Sequence, residues 1–335
     1  MAPLAGGQVD ELLPGMWRVV APNPSFMTGA GTNSYLLGGP ARPAGADGPA
    51  GQRPPLPGAV VAVDPGPDVP SHLERLLEVA PGPVRYVLVT HHHRDHASGA
   101  SSLAALTGAT VLAHGGRGTF HVDGELRDGD AVNVPGWHLG VLETPGHASD
   151  HLCFVAVPAG SPPPKPPGWT RPAAAPAPHS PPPAAGAPVL LSGDLVLGGT
   201  TVVIPPPDGD LRRYLDSLER IAALDPPAGA IAPGHGDVIG DPAGAVAGYL
   251  AHRREREAQV MAVLEARRRA FVEEIVDAIY TSRPGALHDA AAKSVWAHLR
   301  KLASEGRVGT ADADDPAGPW WLEGGSSRRP PPPAG

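Results

Sequence analysis

The chain has 335 residues, a net charge of −8 and a hydrophobic fraction of 41%, with a pI near 6.0 and a mean hydropathy of −0.11. That length suits one large domain with a smaller companion, and the acidic balance excludes a global electrostatic pull toward nucleic acid, leaving such a partner only a local basic patch. The single cysteine, Cys153, excludes a disulfide framework. No apolar stretch is long enough to span a bilayer, so no membrane partner is expected, and no charged-then-apolar leader opens the chain, which makes the cytoplasm the expected compartment.

Apolar, β-branched runs recur through the first two thirds of the chain at 17–20, 35–37, 59–63, 86–89, 110–113, 139–142, 152–155, 189–191 and 230–232, and each reads as a strand. Residues 69–80 carry Leu73, Leu76, Leu77 and Val79 at helical spacing, with Ser71 as the expected N-cap. Leu211, Tyr214, Leu215, Leu218, Ile221 and Ala222 mark a second one-faced helix. Strands mixed with helices that cover both faces predict an α/β layered sandwich. Three Pro/Gly-rich segments, about 39–58, about 158–188 and the tail 324–335, lack the apolar residues to offset their ordering entropy and read as disordered insertions and a disordered tail. After Gly240 the pattern changes. Residues 245–271 read as one long helix carrying Arg253, Arg254, Arg256, Arg267, Arg268 and Arg269. Two shorter helices follow, striped by Val272, Ile275, Val276 and Ile279, then by Ala291, Val295, Leu299 and Leu302. Residues 306–309 and 319–322 then suggest a hairpin, and helix, helix, hairpin predicts a winged-helix-type module. The expected domains are 1–245 and 246–323.

The chemistry concentrates where the strand at 86–89 ends. There Thr90 leads into His91, His93, Asp95 and His96, imidazole and carboxylate donors at a spacing that suits zinc or a similar divalent ion. Further donors stand at other strand ends: His147 in Thr-Pro-Gly-His, Asp194 in Ser-Gly-Asp and His235 in Pro-Gly-His-Gly. This set exceeds what one tetrahedral ion uses and suits two divalent ions, zinc by preference, with manganese or iron as alternatives. His91, His93 and His147 serve one ion; Asp95, His96 and His235 serve the other; Asp194 bridges. Asp95 and Asp194 are the carboxylates assigned to catalysis. A metal-bound water with its pKa lowered to roughly 7 makes such a site a hydrolase of phosphodiesters, thioesters or other acyl bonds. Asp150 and His151 suit either a supporting or proton-donating role beside His147, or a cap and a strand edge. Asn33 suits either a loop approaching the site or an ordinary turn, and His92 fits no ligand position. Trp320 and Trp321 fit a small core better than base stacking, and the arginine helix, interspersed with Glu255, Glu257 and Glu265, suits a solvated face as well as a phosphate track.

Asp64, His91-x-His93-x-Asp95-His96, His147, Asp194 and His235, in that order, resemble the five motifs of the metallo-β-lactamase superfamily across nearly the whole chain. Gly31-Thr-Asn-Ser-Tyr-Leu-Leu-Gly, Thr144-Pro-Gly-His-Ala-Ser-Asp-His, Ser192-Gly-Asp-Leu-Val-Leu-Gly and Ser294-Val-Trp-Ala-His-Leu-Arg-Lys-Leu look like its β-lactamase-like protein 2 branch. The resemblance implies an αββα sandwich with a small C-terminal winged-helix-like domain. It also implies an Asp64 that orients a ligand histidine rather than merely forming a turn, and single-stranded RNA as the substrate of an endoribonuclease. Two Pro-rich insertions depart from that pattern. The nearest alternative is a thioester hydrolase of the glyoxalase II or lactamase-type thioesterase kind, acting on an acyl thioester. A drug-hydrolysing lactamase is disfavoured by the missing export signal and the joint presence of Asp95 and His96. A flavodiiron-type oxidoreductase is disfavoured by His93 where that group has Glu. A nucleic-acid-binding protein with a structural metal is the alternative outside enzymes. The sequence sets no oligomeric state.

Overall fold

The computed structural model describes residues 4–39, 58–115, 117–159, 186–280 and 285–323. Apart from their edges, the Pro/Gly-rich insertions and the tail lie outside the described residues. Seven strands, β1 (Val9–Leu13), β2 (Met16–Val20), β3 (Asn33–Leu37), β4 (Val60–Val63), β5 (Val84–Leu88), β6 (Thr110–Ala113) and β7 (Gly124–Glu125), form one sheet in chain order. Its first four strands are antiparallel neighbours, and β4 to β7 run parallel. Parallel neighbours need crossovers. Helix α1 (Pro70–Val79) supplies the one between β4 and β5, while α2 (Arg94–Ala97) and α3 (Ala100–Thr107) supply the next. A second sheet holds β8 (Ala131–Val134), β9 (Trp137–Glu143), β10 (Leu152–Pro158), β11 (Val189–Gly193) and β12 (Ala230–Pro233), in the order β12-β11-β10-β9-β8. Helix α4 (Leu211–Ala222) joins β11 to β12, which pair in parallel.

The period of two along each strand divides the apolar residues between two cores. Tyr35, Leu37, Val61, Val63 and Leu88 face the second sheet's Leu139, Val141, Leu152, Phe154 and Leu191. Their neighbours Leu36, Val60, Ala62 and Val87 point the other way, against Leu73 and Leu76 of α1 and Ala100 and Leu103 of α3. Burial on both faces explains why these strands read as unbroken apolar runs.

Several expectations need correction. Helix α1 starts at Pro70, with Val69 as N-cap and no side-chain cap, so Ser71 lies inside it; proline's fixed φ suits the first helical position. The short strands β1, β7 and β8 and helix α3 were not foreseen, because two to five residues of mixed polarity, or an alanine- and serine-rich turn, give little periodic signal. The long helix, α5 (Pro242–Arg267), stops four residues early. Arg268 takes a φ of 65° and turns the chain into β13 (Arg269–Ala270), whose Ala270 enters a core.

The described residues divide into two compact units: those up to Val202 with Arg213–Leu250, and Val203–Arg212 with those from Ala251 onward. The division between these units falls at 250/251, inside α5, and residues 203–212 group with the second unit. That unit carries α6 (Val272–Ile279), α7 (Gly285–Ser304), β14 (Val308–Gly309) and β15 (Trp320–Leu322), with strand order β13-β15-β14. Val260, Leu264, Ile275, Val276, Leu299 and Trp320 meet in its core, giving the expected winged-helix arrangement. Trp320 is fully buried there and available to no base, while Trp321 is half-buried.

Candidate metal centre

Each expected ligand leaves the end of a strand on one edge of the sandwich. His91 follows β5, and the short α2 then presents His93 as its N-cap with Asp95 and His96 in its single turn. His147 lies in the β9–β10 loop, Asp194 directly after β11, and His235 two residues after β12. Helix α4 pins two of these loops: Tyr214 Oη donates to Leu195 O at 2.8 Å and Ser217 Oγ to Pro145 O at 2.8 Å.

The seven side chains meet in two facing groups. His93 Nδ1 lies 3.0 Å from both His91 Nε2 and His147 Nε2. Opposite, His235 Nε2 lies 3.2 Å from His96 Nε2 and 3.2 Å from Asp95 Oδ2. Asp194 stands between, with Oδ1 3.3 Å from His96 Nε2 and 3.5 Å from His235 Nε2, and Oδ2 3.6 Å from His147 Nε2. The groupings His91/His93/His147 and Asp95/His96/His235 can each hold an ion, as can His91/His96/Asp194.

The surrounding hydrogen bonds decide which ring nitrogens carry lone pairs. Asp64 is buried and takes three donors: Thr90 N at 2.7 Å, Thr90 Oγ1 at 2.8 Å and His96 Nδ1 at 2.8 Å. With its hydroxyl proton committed to Asp64, Thr90 Oγ1 accepts from His91 Nδ1 at 3.0 Å. His235 Nδ1 donates to Gly31 O at 3.3 Å. In their neutral forms His91, His96 and His235 therefore all turn the lone pair of Nε2 toward the centre. Lone pairs facing each other at such distances repel unless a cation lies among them, and Asp194 Oδ1 is buried with no hydrogen-bond partner. Gly234 sits where a Cβ would come within 2.6 Å of both Asp194 Oδ1 and His96 Cε1. This donor set fits divalent metal.

Electrostatics agree. Burial, reinforced by the neighbouring imidazoles, holds His91 well below its ordinary value and lowers His93 to about 4, so both stay neutral and ready to ligate. For His96 and His235, burial is outweighed by the facing carboxylates, Asp194 foremost, and both are raised. Burial would raise Asp95 and Asp194, yet the imidazoles beside them win, lowering Asp95 to about 2 and Asp194 well below its ordinary value. Carboxylates that hold protons on two rings would hold metal cations in their place.

Asp64 takes a φ of 50°, and its carboxylate supports the His96 ring directly and the His91 ring through Thr90. His151 Nε2 accepts the Asp194 N–H at 3.1 Å, which ties the ring to the backbone of a ligand residue. Asp150 Oδ1 lies 2.8 Å from Nδ1 of His92, the histidine left out of the ligand set. Asn33 lies in β3, not in a turn. Its Nδ2 donates to Pro233 O and Gly236 O, both at 2.9 Å, and so clamps the turn that carries His235. Tyr35 Oη, at 2.7 Å from Pro233 O, reinforces it. Thr90, Thr144 and Tyr35 escaped the sequence reading; only their place inside or beside the motifs signals them.

In the second unit, the arginines weighed as either a solvated face or a phosphate track divide. Arg253 is 3% exposed, Arg256 lies over the Tyr280 ring at 5.0 Å, and Arg267 faces Glu274 at 3.5 Å. Arg254, Arg268 and Arg269 are exposed.

Residues 57–159 match the metallo-beta-lactamase superfamily, and residues 272–320 match the beta-lactamase associated winged helix domain. The chain is 29% identical to a Beta-lactamase-like protein 2 homolog of Drosophila melanogaster, over 92% of this chain and 94% of that protein. Over a shorter stretch, 21% of this chain and 28% of the other, it is 44% identical to a hydroxyacylglutathione hydrolase of Rhodopseudomonas palustris. The fold is that of a beta-lactamase domain protein from Burkholderia ambifaria, with a TM-score of 0.69 and 21% identity over 96% of this chain and 95% of that one.

Proposed function

We propose that this chain, a metallo-β-lactamase superfamily protein ending in a winged helix domain, is a metal-dependent hydrolase that cleaves phosphodiester bonds of single-stranded RNA. The observation that carries the hydrolase reading is the pair of facing triads with Asp194 between them. A pair of divalent ions, zinc by the imidazole-rich donor set, would supply an activated water and neutralise charge at the attacked group. The chain's own part is to fix the donors. Asp64 and Thr90 set the His91 and His96 rings, while Asn33 and Tyr35 set the turn of His235. Asp95 is the more exposed carboxylate, at 31% against 11% for Asp194. Held ionised, it is the group we assign to accept the proton released from the attacking water.

RNA is favoured by the winged helix and by the exposed Arg254, Arg268 and Arg269, which offer local positive charge on an acidic chain. An acyl thioester is the second reading, favoured by the 44% identical stretch shared with a hydroxyacylglutathione hydrolase. The test is an activity panel of single-stranded RNA, acyl thioesters and lactones, run on metal-stripped and zinc- or manganese-restored protein. Metal-dependent cleavage of RNA at low salt is the expected result. Turnover of thioesters with intact RNA would replace the substrate, and activity indifferent to metal would remove the hydrolase reading itself.

A further inference from the structure

Four buried polar side chains around Asp194 have no ligand role: Thr144, His151, Cys153 and Ser192, none more than 1% exposed. Three of them form a single hydrogen-bonded chain that ends on the main chain of the fourth. Asp194 N–H donates to His151 Nε2 at 3.1 Å, so the ring proton sits on Nδ1. Nδ1–H donates to Thr144 Oγ1 at 2.9 Å, which leaves the threonine's own proton for Cys153 Sγ at 3.2 Å. The thiol proton then points to Ser192 O at 3.6 Å, a carbonyl that also accepts the Leu195 N–H at 3.0 Å. The chain thus leaves the backbone at residue 194 and returns to it at residue 192, with each donor used once and only one direction of polarity allowed. Between the two anchors Gly193 has a φ of 47°, and a Cβ there would lie 2.8 Å from His151 Nε2. The turn is pressed against the imidazole.

We propose that His151, through Thr144 and Cys153, is a positioning residue that locks the backbone of Asp194 so that its carboxylate can face both triads. The inference rests on the metal-site reading above. Ligand distances tolerate only about ±0.2 Å, so a carboxylate shared between two groups needs a backbone that does not drift. A neutral imidazole is the right acceptor, because a Lys or Arg in its place would put positive charge beside the cations. The thiol suits the last link, since sulfur bridges longer gaps than a hydroxyl oxygen. Cys153 thereby has a use beyond filling space, and the histidine that follows His147 in the motif has one too.

The experiment compares wild type with His151→Leu, His151→Gln and Cys153→Ala. Zinc(II) binding to the metal-stripped proteins is measured by chelator competition, and the denaturation midpoint of each metal-free protein alongside it. His151→Leu is expected to lose about 10–100-fold in zinc affinity, as supporting groups of metal ligands do. His151→Gln, whose Oε1 can accept the Asp194 N–H, should recover most of that, and Cys153→Ala should lose a few-fold at most. A merely structural histidine would lower the denaturation midpoints and leave the zinc affinity of the folded protein unchanged, which overturns the proposal. Independently of metal, 15N shifts of His151 in the metal-free wild type should show the proton on Nδ1; a proton on Nε2 also overturns it. If His151→Leu does not fold, the Gln variant and the 15N shifts decide. A wild type that takes up no zinc would count against the metal site, with the 15N shifts still deciding the relay.

Discussion

Asp64→Asn tests the logic of the centre most sharply, because it keeps shape and volume while turning one acceptor into a donor. In the wild type, the Asp64 carboxylate receives all three of its protons from neighbours, directly from His96 and Thr90, and it sets His91 through the Thr90 hydroxyl. An amide can keep its oxygen toward the Thr90 N–H only by aiming its NH2 at Thr90 Oγ1 and His96 Nδ1. His96 must then accept at Nδ1 and carry its proton on Nε2, where it points into the centre. The Thr90 proton, displaced, must turn to His91 Nδ1 and reverse that ring too. The opposite amide orientation sets NH2 against the buried Thr90 N–H and costs about 1–3 kcal/mol. One atom thus disables a ligand in each triad. A lost supporting group costs ~10–100-fold in affinity, so two reversed rings should cost ~100–10,000-fold in zinc binding. Asp64→Ala makes the contrast. It leaves the Thr90 N–H and the His96 Nδ1–H buried and unpaired, at about 1–3 kcal/mol each, and should cost ~2–6 kcal/mol of stability as well. Chelator competition and urea denaturation of the metal-free proteins read the two effects separately. An Asn variant that binds zinc as tightly as the wild type refutes the reasoning.

Other perturbations probe the substrate side and the second unit. Phe26 and Met27 are exposed, at 59% and 51%, on the loop that ends with Gly31 O on His235; replacing both with Ala should raise KM for RNA on the order of 10-fold with kcat little changed, a stacking loss of ~1–3 kcal/mol per base. Converting Arg254, Arg268 and Arg269 to Gln should flatten the salt dependence of RNA binding by about 0.7 in slope for each phosphate no longer neutralised, whereas an unchanged slope would move the RNA path elsewhere. His298, 1% exposed, is pushed by burial down to about 3. Its folded value lies below the unfolded one, so the stability it contributes is whole above about pH 6.5 and falls by about 1.4 kcal/mol per pH unit as acid is added below that. His298→Phe should make that acid slope of the denaturation free energy shallower, and an unaltered slope would contradict its burial as a neutral ring.

What the sequence made legible follows from how far each interaction reaches. His91, His93, Asp95 and His96 share one strand end and one helical turn, so their convergence is local and their chemistry is visible in the letters. The strands buried on both faces were equally plain, because an apolar run needs no partner to be recognised. The supporting groups were not plain. Asp64 acts on residues 26 and 32 positions away, and Asn33 on carbonyls 200 and 203 positions away. An ordinary turn Asp and one that sets two ligand tautomers look identical until the sheet brings Thr90 beside it. Arg253 shows the same limit in reverse. Its place in a basic run suggests a phosphate contact, but the face of α5 on which it falls is decided by packing, and packing buries it. The cap at Arg268 carries no glycine to announce it, since the chain reverses there to deliver Ala270 to the small sheet. Ligand identity in this chain is therefore written locally. The tautomers and backbone positions that make those ligands usable are written in contacts across the fold, and there the variants at Asp64 and His151 act.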